Sequence, residues 1–266
     1  SLDPYINETT CHADIILPPS SPLEHDHYDV AFHTNAIRNT SRMNEAVFEK
    51  PDGSLHDWEI FNELGRRFAA LMENDWQPTP APRELVDVAL QMGPYREQGL
   101  RLQTLAQHPS GIDLGPLKPQ LPERLFTADK MINCATPEPL ADLARLARAM
   151  TEEGASLRLI GRRHVRDCNS WMHNYQRLVK GKERCIALLH PSDLASRGIA
   201  DGSKVKVRSR AGEVELPCAA SEDIMPGVVS IPHGYGHTRK GIRAGIAREN
   251  AGVSCNDITD ELYVDA

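Results

Sequence analysis

From about residue 155 onward the chain changes character, and that change narrows the folds open to it. Apolar runs become short and partly alternating, at 157–160, 185–189, 204–208, 213–218 and 228–231. Asp201-Gly202, Ala211-Gly212 and Pro226-Gly227 stand between them as turn signals. One brief helix fits in, where His190-Pro191-Ser192-Asp193 caps a turn or two that ends at Arg197-Gly198. Strands of this length, joined by tight turns with one small helix, predict a compact β-barrel rather than a helical bundle.

The preceding residues read differently. An apolar β-type run at 15–17 is closed by Pro18-Pro19 and predicts a short buried strand. Asp57 can cap a helix running to about Met72, with Trp58, Phe61, Leu64, Phe68 and Leu71 at three- and four-residue spacing as a core-facing stripe. Further helices are predicted over 83–92, 96–107 and 138–151, the last with Leu140, Leu143, Leu146 and Ala147 on one side and Pro137 near its start. Gly154 ends that helix. The domain boundary falls there, giving an α/β region over 1–154 and a mainly-β domain over 155–266.

The residues richest in chemistry follow the first of the late strands. Gly161-Arg162-Arg163-His164-Val165-Arg166-Asp167-Cys168-Asn169-Ser170-Trp171-Met172-His173-Asn174 packs three arginines, two histidines, two asparagines and a serine into fourteen residues. Gly161 lets the backbone turn or approach a ligand closely. Guanidinium forks pair two-to-two with anionic oxygens, so the stretch suits phosphate and heterocycle edges. The bland alternative is a solvated basic loop. A net charge of −7 sets these arginines on an acidic background, which favours a small anionic ligand and argues against nucleic acid.

Other constellations are weaker. Glu24-His25-Asp26-His27, with His33, invites a metal reading, because alternate residues on an extended segment share a face. The competing reading is a polar surface loop. Cysteines at 11, 134, 168, 185, 218 and 255 lack zinc or iron–sulfur spacing, and their scatter fits reduced, cytoplasmic thiols. No apolar run approaches the roughly 20 residues that cross a bilayer. The chain opens on Ser1-Leu2-Asp3-Pro4 and closes on Tyr263-Val264-Asp265-Ala266. Both ends read as abrupt, and a fragment is the expectation.

The late motifs add up to a pattern. His190-Pro191-Ser192-Asp193-Leu194, Gly198-Ile199, Asp201-Gly202, Val205, Val207, Ser209 and Gly212 stand in order. Met225-Pro226-Gly227-Val228-Val229 comes next, followed by an aromatic–glycine turn and then by Gly252-Val253-Ser254-Cys255-Asn256-Asp257-Ile258-Thr259. Together they resemble the C-terminal domain of the molybdopterin oxidoreductases, the dimethyl sulfoxide reductase and formate dehydrogenase superfamily. Asp3 to Thr10, Ala13 to Pro18, Glu24 and residues 35–38 are similar to the region that precedes that domain.

The resemblance implies a remnant of a preceding helical or α/β domain followed by a double-psi β-barrel. It also implies a bis(molybdopterin guanine dinucleotide) cofactor holding molybdenum or tungsten. Gly161, Arg162, Arg163 and His164 would then meet phosphate or pterin. Ser170 and Asn174 would bond further along the cofactor, and His233, Tyr235 and Asn256 would line the same groove. As single residues, His233 and His237 read first as satisfied core histidines, and Asn256 can be a turn cap. A 4Fe–4S cluster and the metal ligand are expected outside this chain, which alone would be catalytically incomplete. The partners implied are the rest of the polypeptide, a small-molecule redox substrate and an electron-transfer subunit. A cytoplasmic site is expected, or a periplasmic one if an export signal lies elsewhere.

Two rival readings differ in kind. One is a separate, non-catalytic pterin-dinucleotide-binding subunit. The other is a metal-dependent hydrolase using His25, His27 and His33. A Ser/His/Asp hydrolase lacks a Gly-x-Ser-x-Gly elbow.

Overall fold

The computed structural model describes residues 1–151, 157–260 and 262. They form two compact units, one of residues 1–4 and 13–132, the other of residues 5–12 and 133–266. The expected end of a helix at Gly154 lies outside the described residues.

In the first unit, β1 (His27–Tyr28) pairs antiparallel with β3 (Met43–Asn44), and β2 (Arg38–Ser41) with β4 (Ile112–Pro116). Helices α1 (Asp57–Leu71), α2 (Pro82–Met92) and α3 (Leu102–Ala106) complete it. Its core is small: Met43, Leu90, Leu100 and Leu105, flanked by Tyr28, Val86, Tyr95 and Leu114. Three expectations need correction here. Residues 15–17 make only a single bridge, Leu17 to Leu2, and Ile15 is exposed; Pro18 and Pro19 bring no N–H with which to extend a ladder. The predicted helix over 96–107 breaks in two because Gly99 turns left-handed, at φ 74°. The stripe on α1 is not core: Phe61, Phe68 and Leu71 are 61, 64 and 80% exposed, and Ile60 is the buried residue. A core built on four side chains lacks the surface to cover a fifteen-residue helix.

The helix start is also made differently from the expectation. Asp57 is the first helical residue, and the free N–H of His56 is taken by Glu59 Oε2 at 2.7 Å. The histidine cluster does not assemble. Asp26 is bound to Arg83, His25 packs edge-on against the His56 ring, and no three His, Cys, Asp or Glu side chains among the described residues can hold a metal ion.

Besides residues 5–12, the second unit holds α4 (Pro137–Thr151) and a five-stranded mixed sheet of β5 (Arg158–Arg162), β6 (Ala187–Leu189), β7 (Lys204–Arg208), β8 (Glu213–Ala220) and β9 (Val228–Pro232). Leu140, Leu143 and Leu146 of α4 are exposed. Short helices α5 (Gln176–Val179), α6 (Pro191–Ser196) and α7 (Gly245–Glu249) lie between or after the strands. The strand order is β5-β9-β6-β8-β7, with β5/β9 and β6/β8 parallel and the other two pairings antiparallel.

Alternation fixes which face is inward. In β8, Val214, Leu216 and Cys218 are buried while Glu213, Glu215 and Pro217 face out. They meet Ala187, Leu189, Val229 and Ile231 in one core, closed by Leu194, Cys255 and Ile258. Full burial of a Leu or Ile side chain is worth roughly 1.5–3 kcal/mol, so this cluster dominates the stability of the unit. Asp193 ties α6 to the turn before β9 by accepting the Gly227 N–H at 2.8 Å. Among the described residues no helix is long and apolar enough to cross a membrane.

Candidate functional site

Because β5 and β9 run parallel, their carboxyl ends release two loops on the same side, residues 163–174 and 233–237. Ligands of mixed and parallel sheets characteristically bind in the crevice there. The ladder extends one step beyond the strands, with the His233 N–H donating to Arg162 O at 2.9 Å. The loops then pack backbone to backbone. Gly234 has φ 90°, and a Cβ on it would stand 1.9 Å from Asn169 O and 3.2 Å from Ser170 N. At Gly236, φ 111°, a Cβ would stand 2.7 Å from Ser254 Cβ, which brings a third loop to the same place. Only glycine permits both approaches. Cys168 and Asn169 are themselves left-handed, at φ 42° and 60°, an uncommon conformation for residues with side chains.

The loops enclose a cleft of about 210 Å³ lined by Arg163, His164, Asp167, Cys168, Asn169 and His233. Beside it lies a buried polar chain. Glu8 Oε1 meets His237 Nδ1 at 2.5 Å, and His237 Nε2 meets His173 Nδ1 at 2.8 Å. His173 Nε2 lies 3.2 Å from Asp167 Oδ1, to which Arg184 Nη2 donates at 3.3 Å. Tyr235 lies over His173 with ring centroids 4.3 Å apart. Asp167 Oδ2, His173 Nε2 and Arg184 Nε are all buried and have no hydrogen-bond partner among the described residues, so the His173–Asp167 approach is a close contact and not a hydrogen bond.

Electrostatics follow from this burial. Desolvation lowers the His173 pKa, against the pull of Asp167, and raises that of the Tyr235 phenol, with Asp167 adding to the rise. Burial raises the Cys255 thiol, while the Arg163 guanidinium draws it partly back, which places Arg163 near the third loop.

The sequence-predicted residues divide three ways. Arg163, His164 and His233 line the cleft together. Gly161 does not form a turn: it sits inside β5, paired with Ile231, with open space where a Cβ would be. Ser170 begins the 3-10 turn Trp171–Asn174 and accepts the His173 N–H through its backbone oxygen.

The third set is committed elsewhere. Arg162 turns into the sheet and donates to Ser230 O, Ser230 Oγ and Ile186 O at 3.1, 3.2 and 2.9 Å. A guanidinium beside a sheet edge finds fixed carbonyls there, and desolvation lowers its pKa. Asn174 Oδ1 caps α7 by accepting the N–H groups of Ile246 and Ala247 at 3.1 and 3.2 Å. Tyr235 packs against the core, and Asn256 closes a short turn through its backbone oxygen. Arg184 was not singled out by sequence, and Glu8, Asp167 and His173 were named only within longer stretches and given no role. The signal for His237 was present only as the alternative of a satisfied core histidine, and the partnership of Glu8 with His237, 229 residues apart, leaves no local mark.

Comparisons with known proteins bear on these same residues. Residues 157–265 match the family model described as the molydopterin dinucleotide binding domain. The F420-dependent formate dehydrogenase 1 subunit alpha of Methanococcus maripaludis is 25% identical over 93% of this chain and 36% of its own length. The probable oxidoreductase YoaE of Bacillus subtilis is 24% identical over 85% of this chain and 33% of its own length. A dimethyl sulfoxide/trimethylamine N-oxide reductase of Rhodobacter capsulatus is 41% identical over a shorter stretch, 21% of this chain and 7% of its length. The acetylene hydratase structure from Pelobacter acetylenicus superposes with a TM-score of 0.57 over 91% of this chain and 34% of that one, at 16% identity, and so shares the fold. The chain thus spans about a third of the length of the long relatives it matches. Motifs, fold and matches point the same way: residues 157–265 match the molydopterin dinucleotide binding domain, and over most of its length the chain is similar to formate dehydrogenase alpha subunits.

Proposed function

We propose that the chain is the cofactor-binding part of a bis(molybdopterin guanine dinucleotide) enzyme, and that residues 157–265 clamp the dinucleotide. The observation that carries this reading is the cleft beyond β5 and β9. It offers arginine and histidine donors on its walls and a buried carboxylate whose Oδ2 lacks a protein partner. Such a set fits the group: Arg163, His164 and His233 suit phosphate oxygens, and Asp167 suits an amino-heterocycle N–H. At about 210 Å³ the cleft takes one ring or a pyrophosphate, below the 300 Å³ or more of a typical whole-ligand pocket, so the remainder of the dinucleotide lies along the adjoining surface.

When bound, the pterin-held molybdenum or tungsten supplies the redox chemistry, and this chain supplies binding, orientation and field. The two parallel strand pairs, each joined to the sheet through an antiparallel neighbour, support a double-psi β-barrel reading. The metal ligand and a 4Fe–4S cluster belong to other parts of the enzyme in this account. So do the small-molecule redox substrate and the electron-transfer partner. The scatter of the cysteines, with Cys185, Cys218 and Cys255 buried as thiols, favours a reducing, cytoplasmic compartment.

The test is an Arg163→Ala/His233→Ala variant of the intact protein, assayed for metal, pterin and bound guanosine monophosphate. Each charge-assisted bond contributes about 1.5–3 kcal/mol, so cofactor retention should fall at least tenfold while the unfolding midpoint barely moves. Full retention of pterin, nucleotide and metal would overturn the assignment of this cleft.

A further inference from the structure

We propose that the first unit holds a small-molecule site of its own, which takes a primary amine with a compact apolar body. The site is a cavity of about 330 Å³ lined by residues of β2, β4 and α2 and of the segments 28–33 and 93–100. Its volume lies at the small end of ordinary ligand pockets, roughly 300–1,000 Å³. All of its lining residues belong to this unit, and none of them lines the dinucleotide cleft. The proposal therefore does not rest on the dinucleotide reading.

The walls set the body of the ligand. Leu90 and Leu100 are core side chains, Tyr28, Val86 and Tyr95 pack against them, and all five reach the cavity. The Tyr28 ring is held by its hydroxyl, which shares a hydrogen bond with Ser41 Oγ at 2.9 Å. A ring or branched chain placed here leaves water for an apolar surface that is already formed.

The polar lining sets the head. It consists of Asp29, His33, Asn39 and Thr40, with no lysine or arginine. Asp29 Oδ1 accepts the Phe32 N–H at 2.9 Å, and Oδ2 has no partner among the described residues. Asn39 Nδ2 donates to Pro116 O at 3.4 Å, which leaves Oδ1 for a ligand. The Thr40 hydroxyl and the His33 ring make no hydrogen bond among the described residues. Acceptors dominate this set, and one of them is a carboxylate. An ammonium group answers it with three N–H donors on one centre, whereas an acid would meet Asp29 with no cation to offset the repulsion. The surrounding field has the same sign, because this unit carries 19 acidic against 11 basic residues.

The strand itself is shaped for the cavity. Neighbouring residues of a strand face opposite ways, yet Asn39 and Thr40 both line it. The register of β2 against β4 shifts between these two residues, and such a bulge re-aims a side chain that regular pairing would turn away.

The experiment is calorimetric titration of the full chain with three probes that share one body: 2-phenylethylamine, 2-phenylethanol and 3-phenylpropanoate. The amine should bind one to one with a dissociation constant of about 1 mM or tighter, the alcohol at least tenfold more weakly, and the acid not measurably. Asp29→Asn keeps an oxygen for the Phe32 N–H and should erase the preference for amine over alcohol. Ala89→Phe fills the cavity from an exposed position of α2 and should abolish amine binding while cofactor content stays unchanged. Acid bound as well as amine, or amine binding that survives Ala89→Phe, would overturn the proposal. So would no amine binding at all, the result if a further stretch of polypeptide fills the cavity.

Discussion

The close approach of Gly234 to the 163–174 loop can be isolated with three glycine-to-alanine substitutions. At Gly234 an added Cβ meets two obstacles: a left-handed backbone, φ 90°, and the Asn169 carbonyl oxygen at 1.9 Å. At Gly227 only the first applies, since φ is 83° but no atom lies within 4 Å of the added carbon. At Gly161 neither applies, because the residue is an ordinary position in β5 and nothing lies within 4 Å of an added Cβ. A left-handed residue with a side chain costs roughly 1–2 kcal/mol, and forcing an atom into packed surroundings costs typically about 1–3 more. Gly161→Ala should therefore be neutral or stabilising by up to about 1 kcal/mol. Gly227→Ala should cost about 1–2 kcal/mol, and Gly234→Ala about 2–5 kcal/mol in total. Urea unfolding of the full chain, followed by circular dichroism, gives all three on one scale. Because the obstacle is backbone and not a flexible side-chain tip, the 163–174 loop has to move, and cofactor retention should fall with stability. If Gly234→Ala matched Gly227→Ala to within about 0.5 kcal/mol, the described packing of the two loops would be wrong.

Two further perturbations probe the sheet and the core. Arg162→Lys removes the fork that reaches Ser230 and Ile186 across three strands, and should cost about 1.5–3 kcal/mol in the same unfolding assay; a loss below 0.5 kcal/mol would return Arg162 to the role of a free phosphate ligand. Burial pushes the Cys185 thiol up to about 11, opposed by the Val253 N–H, which donates to Sγ. The folded form thus keeps a proton that the unfolded chain gives up near 8.5–9, so this contribution is whole below that range and is lost as the pH rises toward 11. Each unit is worth about 1.4 kcal/mol, and Cys185→Val should flatten that alkaline limb of the stability curve; an unchanged limb would refute the assignment.

Much of the second unit was legible in sequence because its signals are local. Period-two burial in β8, the Pro191 start of α6 and the glycine turn before β9 are written within a few residues of where they act. The helix at 137–151 was likewise found from its spacing and its early proline. The grouping of His233 with Arg163 and His164 was found, but several other inferences that depended on a partner distant in sequence failed. Spacing on α1 correctly gave a helix but not what would cover Phe61 and Phe68, because periodicity carries no information about the neighbouring surface. Arg162 and Arg163 are adjacent and chemically identical, yet strand alternation sends one guanidinium into the sheet and leaves the other at the cleft. Gly161 was read as a place where the backbone turns or approaches a ligand closely, because glycine permits either, and the parallel pairing to Ile231 that holds it extended lies 70 residues away. The pairing of His173 with His237, 64 residues apart, is of the same kind.

The central claim is that this chain binds a molybdopterin guanine dinucleotide at the cleft beyond β5 and β9. The most direct measurement is the cofactor content of the intact protein purified from cells supplied with molybdate or tungstate. Oxidised pterin is read by fluorescence, released guanosine monophosphate by chromatography and metal by mass spectrometry. The account predicts two pterins and two guanosine monophosphates for each molybdenum or tungsten, with retention lost in Arg163→Ala/His233→Ala. Protein that is folded and metal-replete in its surroundings, but carries neither pterin nor guanosine monophosphate, would contradict it.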